Sequence, residues 1–94
     1  MGFAALDELY GIIVERLESR PRGSYTWMIA SRGRSYVARK VGEEAVELVV
    51  EAVSGRREGV LGEAVDLLYH LLVLLAMMGV TPEDVEREIR GRMK

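Results

Sequence analysis

The segment SYVARKVGEEAVELVVEAV, residues 35–53, decides the fold of this protein. Its apolar residues return at steps of three and four, which is the period of an amphipathic α-helix. They include Val37, Ala38, Val41, Ala45, Val46, Leu48, Val49, Ala52 and Val53. Few stretches of the chain alternate apolar and polar residues as strands do. The sequence therefore predicts an all-α fold, in which this segment forms one long helix.

Helical periodicity continues on both sides of this segment. The predicted helices cover approximately residues 3–19, 24–31, 35–53, 58–78 and 82–91. Pro21 and Gly23 separate the first two helices, and Ser24 is a suitable N-cap for the second. Gly79 closes the fourth helix, and Thr81 caps the last one ahead of a first-turn proline. Short connections of this kind predict antiparallel neighbours in a bundle.

Length, charge and composition exclude several classes of protein. Ninety-four residues predict a single domain, residues 1–94. Because 13 basic residues face 15 acidic ones, no basic field favours nucleic acid as a partner. The absence of cysteine excludes disulfides, zinc–thiolate sites and a cysteine nucleophile. The first residues lack the pattern of a signal peptide, so we expect a cytoplasmic protein.

The stretch from Leu67 to Met78 is apolar apart from His70. It is shorter than the roughly 20 residues that a membrane span needs, so we expect no membrane insertion. A helix that is apolar on all sides must be buried on several sides, which the other helices of a short chain do not easily achieve. We therefore expect a homodimer, in which a second copy covers this helix.

Two pairs of acidic residues stand on the two long helices. Glu44 and Glu47 project about 60° apart on one helix face, and Glu63 and Asp66 repeat that spacing. Antiparallel packing would bring the pairs together, although the first pair lies further from the turn than the second. The alternative is a solvated surface on which Lys40 pairs with Glu44.

The second acidic pair favours a functional site. The face that carries Glu63, Asp66 and His70 continues into apolar residues, namely Val73, Leu74 and Met77. Carboxylates on a partly buried face need partners, because an unpaired buried charge is costly. A divalent cation meets that need, and all-oxygen ligands favour Mg²⁺ or Mn²⁺ over zinc. Mg²⁺ held by carboxylates usually acts on phosphate groups.

Further motifs connect these acidic residues to a known family. The pattern E-E-x-x-E occupies residues 43–47, and E-x-x-D occupies residues 63–66. The other motifs are PRGSYT, KVGEE and DLLYH, at residues 21–26, 40–44 and 66–70. Over about residues 9–92, the chain resembles the phosphoribosyl-ATP pyrophosphatases, which belong to the all-α nucleoside triphosphate pyrophosphatases. Only the Trp27-Met28 pair departs from the typical motifs, at a place where the family varies.

The resemblance implies a fold, a reaction and a metal site. The fold would be a bundle of four to five helices. The reaction would be the Mg²⁺-dependent hydrolysis of 1-(5-phosphoribosyl)-ATP to 1-(5-phosphoribosyl)-AMP and pyrophosphate, an early step of histidine biosynthesis. The residues that match the family's metal ligands are Glu44, Glu47, Glu63 and Asp66. Such a cation neutralises phosphate charge and makes water a usable nucleophile. Glu43, beside the ligand face, is the candidate that orients or deprotonates this water.

Eight further residues are candidates for roles around the metal or the substrate. Lys40 is expected to contact phosphate, since cations are placed where phosphate charge develops. Ser24, Tyr25 and Thr26 either contact the substrate or only cap a helix. His70 is expected to support Asp66 from behind or to be an ordinary core residue. A basic group ahead of the acidic helix either is solvated or binds the phosphoribosyl group; its members are Arg32, Arg34 and Arg39.

Two other functions remain open from the sequence. One is a house-cleaning pyrophosphatase that acts on ordinary or damaged nucleoside triphosphates, against which the Ser24–Thr26 segment argues. The other is a non-catalytic helical dimerisation module with purely surface acids. Stabilisation by Mg²⁺ distinguishes a metal site from such a module. A homodimer would also allow Lys40, the basic group of Arg32 to Arg39 or the Ser24–Thr26 segment of one chain to approach the acidic site of the other.

Overall fold

The computed structural model describes residues 4–94, and these form five α-helices with no strand among them. The helices are α1 (Ala4–Ser19), α2 (Tyr25–Ser31), α3 (Arg34–Val53), α4 (Arg57–Met77) and α5 (Pro82–Arg92). The all-α prediction is confirmed. The predicted boundaries lie within one residue of the observed ones. The predicted first helical residue, Phe3, lies outside the described residues.

Helices α3 and α4 form an antiparallel hairpin that makes up the largest interface between elements. The hairpin turn contains Gly55 at φ +74°, a conformation that a residue without Cβ adopts at low cost. The backbone N–H of Arg56 donates to the Glu51 carbonyl at 3.1 Å, and the Arg56 side chain donates from Nε to Glu51 Oε1 at 2.9 Å. The turn therefore fixes how α4 returns along α3.

The core takes a residue or two from each of the first four helices. Its members are Ile13, Ile29, Val37, Leu72 and Val73. Full burial of an aliphatic side chain of this kind contributes about 1.5–3 kcal/mol relative to exposure. Ile29 is fully buried, so the short helix α2 is held against the hairpin despite having only seven residues. This packing places the residues around α2 beside α4.

Helix α5 packs on the outside of the bundle and contributes no buried residue. A hydrogen bond from the Tyr10 hydroxyl to the Val80 carbonyl, at 2.9 Å, fastens α1 to the turn before α5. Thr81 Oγ1 accepts from the Asp84 N–H at 3.1 Å, and the Thr81 N–H donates back to Asp84 Oδ2 at 2.9 Å. This reciprocal pair is a capping box, and Pro82 follows it as the first helical residue.

Helix α4 remains largely uncovered within one chain. Within residues 4–94, it alone is long and apolar enough, by length and composition, to cross a membrane, and 17% of its most apolar stretch is buried. Two acidic residues, Glu63 and Asp66, nevertheless lie in its middle. Of the apolar residues expected to need a second chain, Leu72 and Val73 are buried by this chain. The others are half-buried: Leu67, Leu68, Leu71, Leu74 and Leu75.

The most exposed apolar surface lies on another side of the hairpin. Four valines of α3 and two residues of α4 are each more than half exposed there: Val46, Val49, Val50, Val53, Leu61 and Val65. The valines follow one another at steps of three and four, so they share one face of α3. Helix α3 thus presents an apolar stripe to solvent. We call the stripe formed by Val46, Val49, Val50 and Val53 the valine face.

Candidate metal centre and active site

The α3–α4 hairpin brings three carboxylates together. One oxygen each of Glu44, Glu63 and Asp66 lies within 4.8 Å of the other two. Asp66 is as far from the start of α4 as Glu44 is from the end of α3, so the antiparallel register aligns them. Glu63 lies one helical turn nearer the connection between α3 and α4, and its carboxylate reaches those of Glu44 and Asp66. The first acidic pair was expected to lie further from the turn than the second, but this difference does not keep Glu44 away from Glu63 and Asp66.

The group formed by Glu44, Glu63 and Asp66 is electrostatically unfavourable without a cation. Glu44 is 8% exposed, and Glu63 Oε2 is buried without a hydrogen-bond partner. Burial raises the pKa of Glu63, and the charges of Glu47, Glu44 and Asp66 raise it further. An orphaned carboxylate oxygen among like charges, with oxygen donors only, fits a hard divalent cation.

Glu47 lies outside this group of three but close to it. It is exposed on α3, and its charge contributes more than that of Glu44 to raising the pKa of Glu63. The four acidic residues singled out from the sequence are thus neighbours. Three of them share one point, and the fourth stands at its edge.

Glu43 and Lys40 lie together beside the carboxylates. Glu43 is half exposed and forms ion pairs with Lys40 and with Arg39, each at 3.7 Å. Lys40 therefore pairs with Glu43 rather than with Glu44, the partner expected for a solvated surface. The Tyr25 hydroxyl, more than any other group, raises the pKa of Lys40, and the Glu43 carboxylate adds to this effect. Lys40 thus lies near both Tyr25 and Glu43 of its own chain.

His70 links Tyr25 to the acidic helix. The imidazole is buried, and its Nδ1 lies 2.7 Å from the backbone oxygen of Asp66. Because a carbonyl oxygen only accepts, Nδ1 carries the proton and donates it. Nε2 is then the acceptor for the Tyr25 hydroxyl, which lies 2.9 Å away. Burial raises the pKa of Tyr25, against the opposing effect of Lys40, so this hydroxyl retains its proton.

The three residues of the Ser24–Thr26 segment differ in their surroundings. The Ser24 hydroxyl accepts from the Trp27 N–H at 3.1 Å and caps α2. Thr26 is buried, and its hydroxyl is hydrogen-bonded to that of Tyr69. Tyr25 is 45% exposed, so it presents the largest accessible surface of the three. In this segment Ser24 therefore caps a helix, while the neighbouring Tyr25 is accessible to a ligand.

Several residues near the site were not identified from the sequence. The ring of Tyr69 lies 5.0 Å from the His70 ring, and its hydroxyl reaches α2. Its position three residues after Asp66 places it on the same side of α4 as Asp66, and this spacing was the available signal.

Of the basic group, Arg32 and Arg39 both lie over the ring of Tyr36, at 5.0 and 5.3 Å from its centroid. Arg34 does not join them there.

Comparison with known proteins identifies the family of this chain. Residues 6–93 match the family described as Phosphoribosyl-ATP pyrophosphohydrolase. A relative from Saccharolobus solfataricus, named phosphoribosyl-ATP pyrophosphatase, is 55% identical over 89 residues, which cover 95% of each chain. Relatives of the same name from Metallosphaera sedula and Saccharolobus islandicus are 58% and 52% identical over 95% of this chain. The chain therefore belongs to the phosphoribosyl-ATP pyrophosphohydrolase family, a family of hydrolases that act on phosphoanhydrides.

Proposed function

We propose that this protein hydrolyses 1-(5-phosphoribosyl)-ATP to 1-(5-phosphoribosyl)-AMP and pyrophosphate, a step of histidine biosynthesis in the cytoplasm. Membership of the family supports the reaction, since relatives that match 95% of the chain carry this name. The single observation that carries the proposal is the convergence of Glu44, Glu63 and Asp66 within 4.8 Å. A surface module would have no use for an orphaned, buried carboxylate oxygen such as Glu63 Oε2.

The proposed metal is Mg²⁺, with Mn²⁺ as a substitute, and the proposed ligands are Glu44, Glu47, Glu63 and Asp66. When bound, such a cation supplies charge neutralisation for the phosphoanhydride and makes water more acidic. A set of ligands that offers only carboxylate oxygens suits this hard cation. The repulsion that raises the pKa of Glu63 supports the assignment, because a cation relieves it.

The other side chains of the site divide the remaining work. Glu43 would accept a proton from the attacking water, and its pairs with Arg39 and Lys40 hold the carboxylate beside the ligands. Lys40 would bind a phosphate oxygen of the substrate. Tyr25, the exposed member of its segment, would contact the substrate. His70 would hold both the Tyr25 hydroxyl and the backbone of Asp66 in place.

Ser24 and Thr26 complete the proposed substrate-binding segment. The Ser24 hydroxyl caps α2, and the buried Thr26 hydroxyl is bonded to Tyr69. Their proposed contribution is therefore to hold Tyr25 at the surface beside Lys40, in addition to any contact that they make with the substrate. The raised pKa of Lys40, whose largest cause is the Tyr25 hydroxyl, supports this placement.

We also propose that the chain is one domain that acts as a homodimer. The valine face of the hairpin and the half-buried leucines of α4 support this proposal, because exposed apolar patches of several hundred Å² are unusual on monomers. A twofold pair would bury the same patch on both chains. Tyr25, Lys40 and His70 nevertheless approach the acidic residues of their own chain.

Release of pyrophosphate from phosphoribosyl-ATP, compared with release from ATP and dCTP, tests the proposed function. We expect phosphoribosyl-ATP to be the preferred substrate and the reaction to require Mg²⁺. The variant Glu44→Gln should lose most activity and stay folded, whereas Glu8→Gln, on the exposed face of α1, should retain it. Equal rates on all three substrates would instead favour a house-cleaning pyrophosphatase, and no release from any would favour a non-catalytic module.

A further inference from the structure

A second surface feature lies beside α2, outside the acidic site. It is an open cavity of about 610 Å³, a size that suits a small-molecule ligand. Its walls come from the turn that follows α1 and from α2. They carry two arginines, a tyrosine and a tryptophan: Arg20, Arg22, Tyr25 and Trp27. We call it the Arg20 cavity. No carboxylate lines it, so it is suited to an anion.

The two arginines of the Arg20 cavity are available to a ligand. In the part of the chain that the structure describes, no carboxylate lies within 4.0 Å of either guanidinium group. Arg39, in the basic group on α3, is by contrast already paired with Glu43. Guanidinium groups bind phosphate through paired hydrogen bonds, and only unpaired ones are free to do so. The Arg20 cavity is therefore the better phosphate site.

The Arg20 side chain is held in position. Its guanidinium carbon lies 4.8 Å from the centroid of the Trp27 ring, which is a cation–π contact. The backbone of Arg20 has φ +52°, the one positive value at a non-glycine residue in residues 4–94. Glycine adopts this conformation at lower cost. Arginine at this position thus brings a placed positive charge at the expense of backbone strain.

Tyr25 connects the Arg20 cavity to the metal centre. It lines the cavity, and its hydroxyl bonds to His70, which in turn bonds to the backbone of Asp66. A molecule that extends from the acidic residues past Tyr25 therefore enters the Arg20 cavity. Phosphoribosyl-ATP is such a molecule, because its phosphoribosyl group is attached to the base, at the opposite end from the triphosphate.

We propose that Arg20 and Arg22 bind the 5-phosphate of the phosphoribosyl group and so distinguish phosphoribosyl-ATP from ATP. This inference rests on the proposed function for the identity of the substrate. It deepens that proposal, because it assigns a second anion site that the acidic residues do not provide. Trp27 serves it by holding the Arg20 guanidinium against its ring.

Calorimetric binding of 1-(5-phosphoribosyl)-AMP tests the proposal on three proteins: wild type, the double variant Arg20→Gly/Arg22→Ala, and Arg57→Ala as a control at an exposed arginine outside the cavity. Losing charge-assisted hydrogen bonds should weaken binding by the double variant about 10- to 100-fold. The control should bind as wild type does. Glycine relieves the backbone strain at residue 20, so we expect the double variant to fold. Its melting temperature, compared with that of wild type, checks this. Affinity within twofold of wild type overturns the proposal.

Ribose 5-phosphate, with ribose as its control, gives a readout that does not depend on hydrolysis. We expect wild type to bind the phosphate-bearing sugar and the double variant not to bind it; equal binding by both proteins contradicts the proposal. If wild type binds ribose 5-phosphate through Arg20 and Arg22 but releases pyrophosphate from ATP as fast as from phosphoribosyl-ATP, the inferred phosphate site stands and the proposed function fails. If phosphoribosyl-ATP is preferred equally by both proteins, the proposed function stands and this inference fails.

Discussion

At the scale of single residues, Glu63 has the least favourable environment in the acidic site. One of its oxygens is buried without a partner, and three neighbouring carboxylates oppose its ionisation. A group with a raised pKa destabilises the folded protein once it is ionised. A cation reverses this effect, because it binds the folded state and stabilises it by mass action.

We therefore expect Glu63→Gln to have opposite effects without and with metal. In the metal-free protein, loss of the charge should raise the melting temperature. With Mg²⁺, the wild type should gain stability and the variant should not. Differential scanning calorimetry at pH 7 with and without Mg²⁺ measures both effects. The control Glu8→Gln should respond as wild type does, and a Glu63→Gln protein that is still stabilised by Mg²⁺ would exclude Glu63 as a ligand.

Tyr25→Phe tests the link between α2 and α4. The variant leaves the buried Nε2 of His70 without its hydrogen-bond partner at a cost of about 1–3 kcal/mol in the free energy of unfolding. Urea denaturation measures this loss, and activity on phosphoribosyl-ATP should fall with it. Tyr36→Phe is the matched control, since no hydrogen bond of the Tyr36 hydroxyl is among those of residues 4–94. Equal stability of the two variants would contradict the assigned role of His70.

The sequence predicted that acidic residues of α3 and α4 lie near each other, but it did not predict which residues surround them. The spacing of Glu63 and Asp66 on one helix placed both on one face, because helix geometry is local. The hydrogen bond between Thr26 and Tyr69 joins residues 43 positions apart, and it depends on how α2 packs against α4. The local sequence pattern does not indicate how α2 is oriented against α4, so the contact of Tyr69 was not predicted.

At the scale of elements, the caps explain why the helix boundaries were predictable. Ser24 and Thr81 both accept a backbone N–H from the first turn of the helix that follows, as their side chains and positions predict. Gly79, at φ +72°, ends α4 in the conformation that favours glycine. These three boundaries are thus set by residues next to them. The packing of α2 against the hairpin, by contrast, depends on distant partners such as Ile29.

The cap of α5 predicts a dependence on pH. The backbone N–H of Thr81 donates to the Asp84 carboxylate and holds the pKa of Asp84 below its usual value. A depressed pKa stabilises the folded state above the usual pKa of aspartate, and this contribution is lost as the pH falls through the lower, folded value. We expect α5 to fray in that acidic range. Circular dichroism at graded pH, with an NMR titration of Asp84, measures it.

Asp84→Asn is the matched variant for this acid response. It retains the size of the side chain and removes the ionisation, so its helical signal should lose the acid transition of α5. An unchanged transition in Asp84→Asn would show that another group is responsible.

At the scale of the whole molecule, one chain does not cover its own apolar surface. The valine face and much of α4 remain accessible, while the core has five buried apolar residues, four of them fully buried. A chain of this length buries only about two-thirds of its unfolded surface, so a second copy adds stability that one core does not supply. The sequence indicated more apolar helix surface than one chain can bury. That the exposed stripe lies on α3 became evident only from how the helices pack.

Sedimentation equilibrium at micromolar concentration tests the homodimer. We expect a mass of twice the 10.5 kDa of one chain. Val50→Asp, which places a charge in the valine face, should shift the protein towards monomer, and Val50→Ala should do so less, because it removes area without adding charge. A wild-type mass near 10.5 kDa with full activity would contradict the homodimer.

The central claim is that Glu44, Glu63 and Asp66 together bind a divalent cation. Isothermal titration of Mg²⁺ into the metal-free protein measures this most directly, with the wild type beside the folded double variant Glu44→Gln/Asp66→Asn. The account predicts saturable binding by the wild type and its loss in the double variant. Unchanged Mg²⁺ affinity in the double variant would contradict the account.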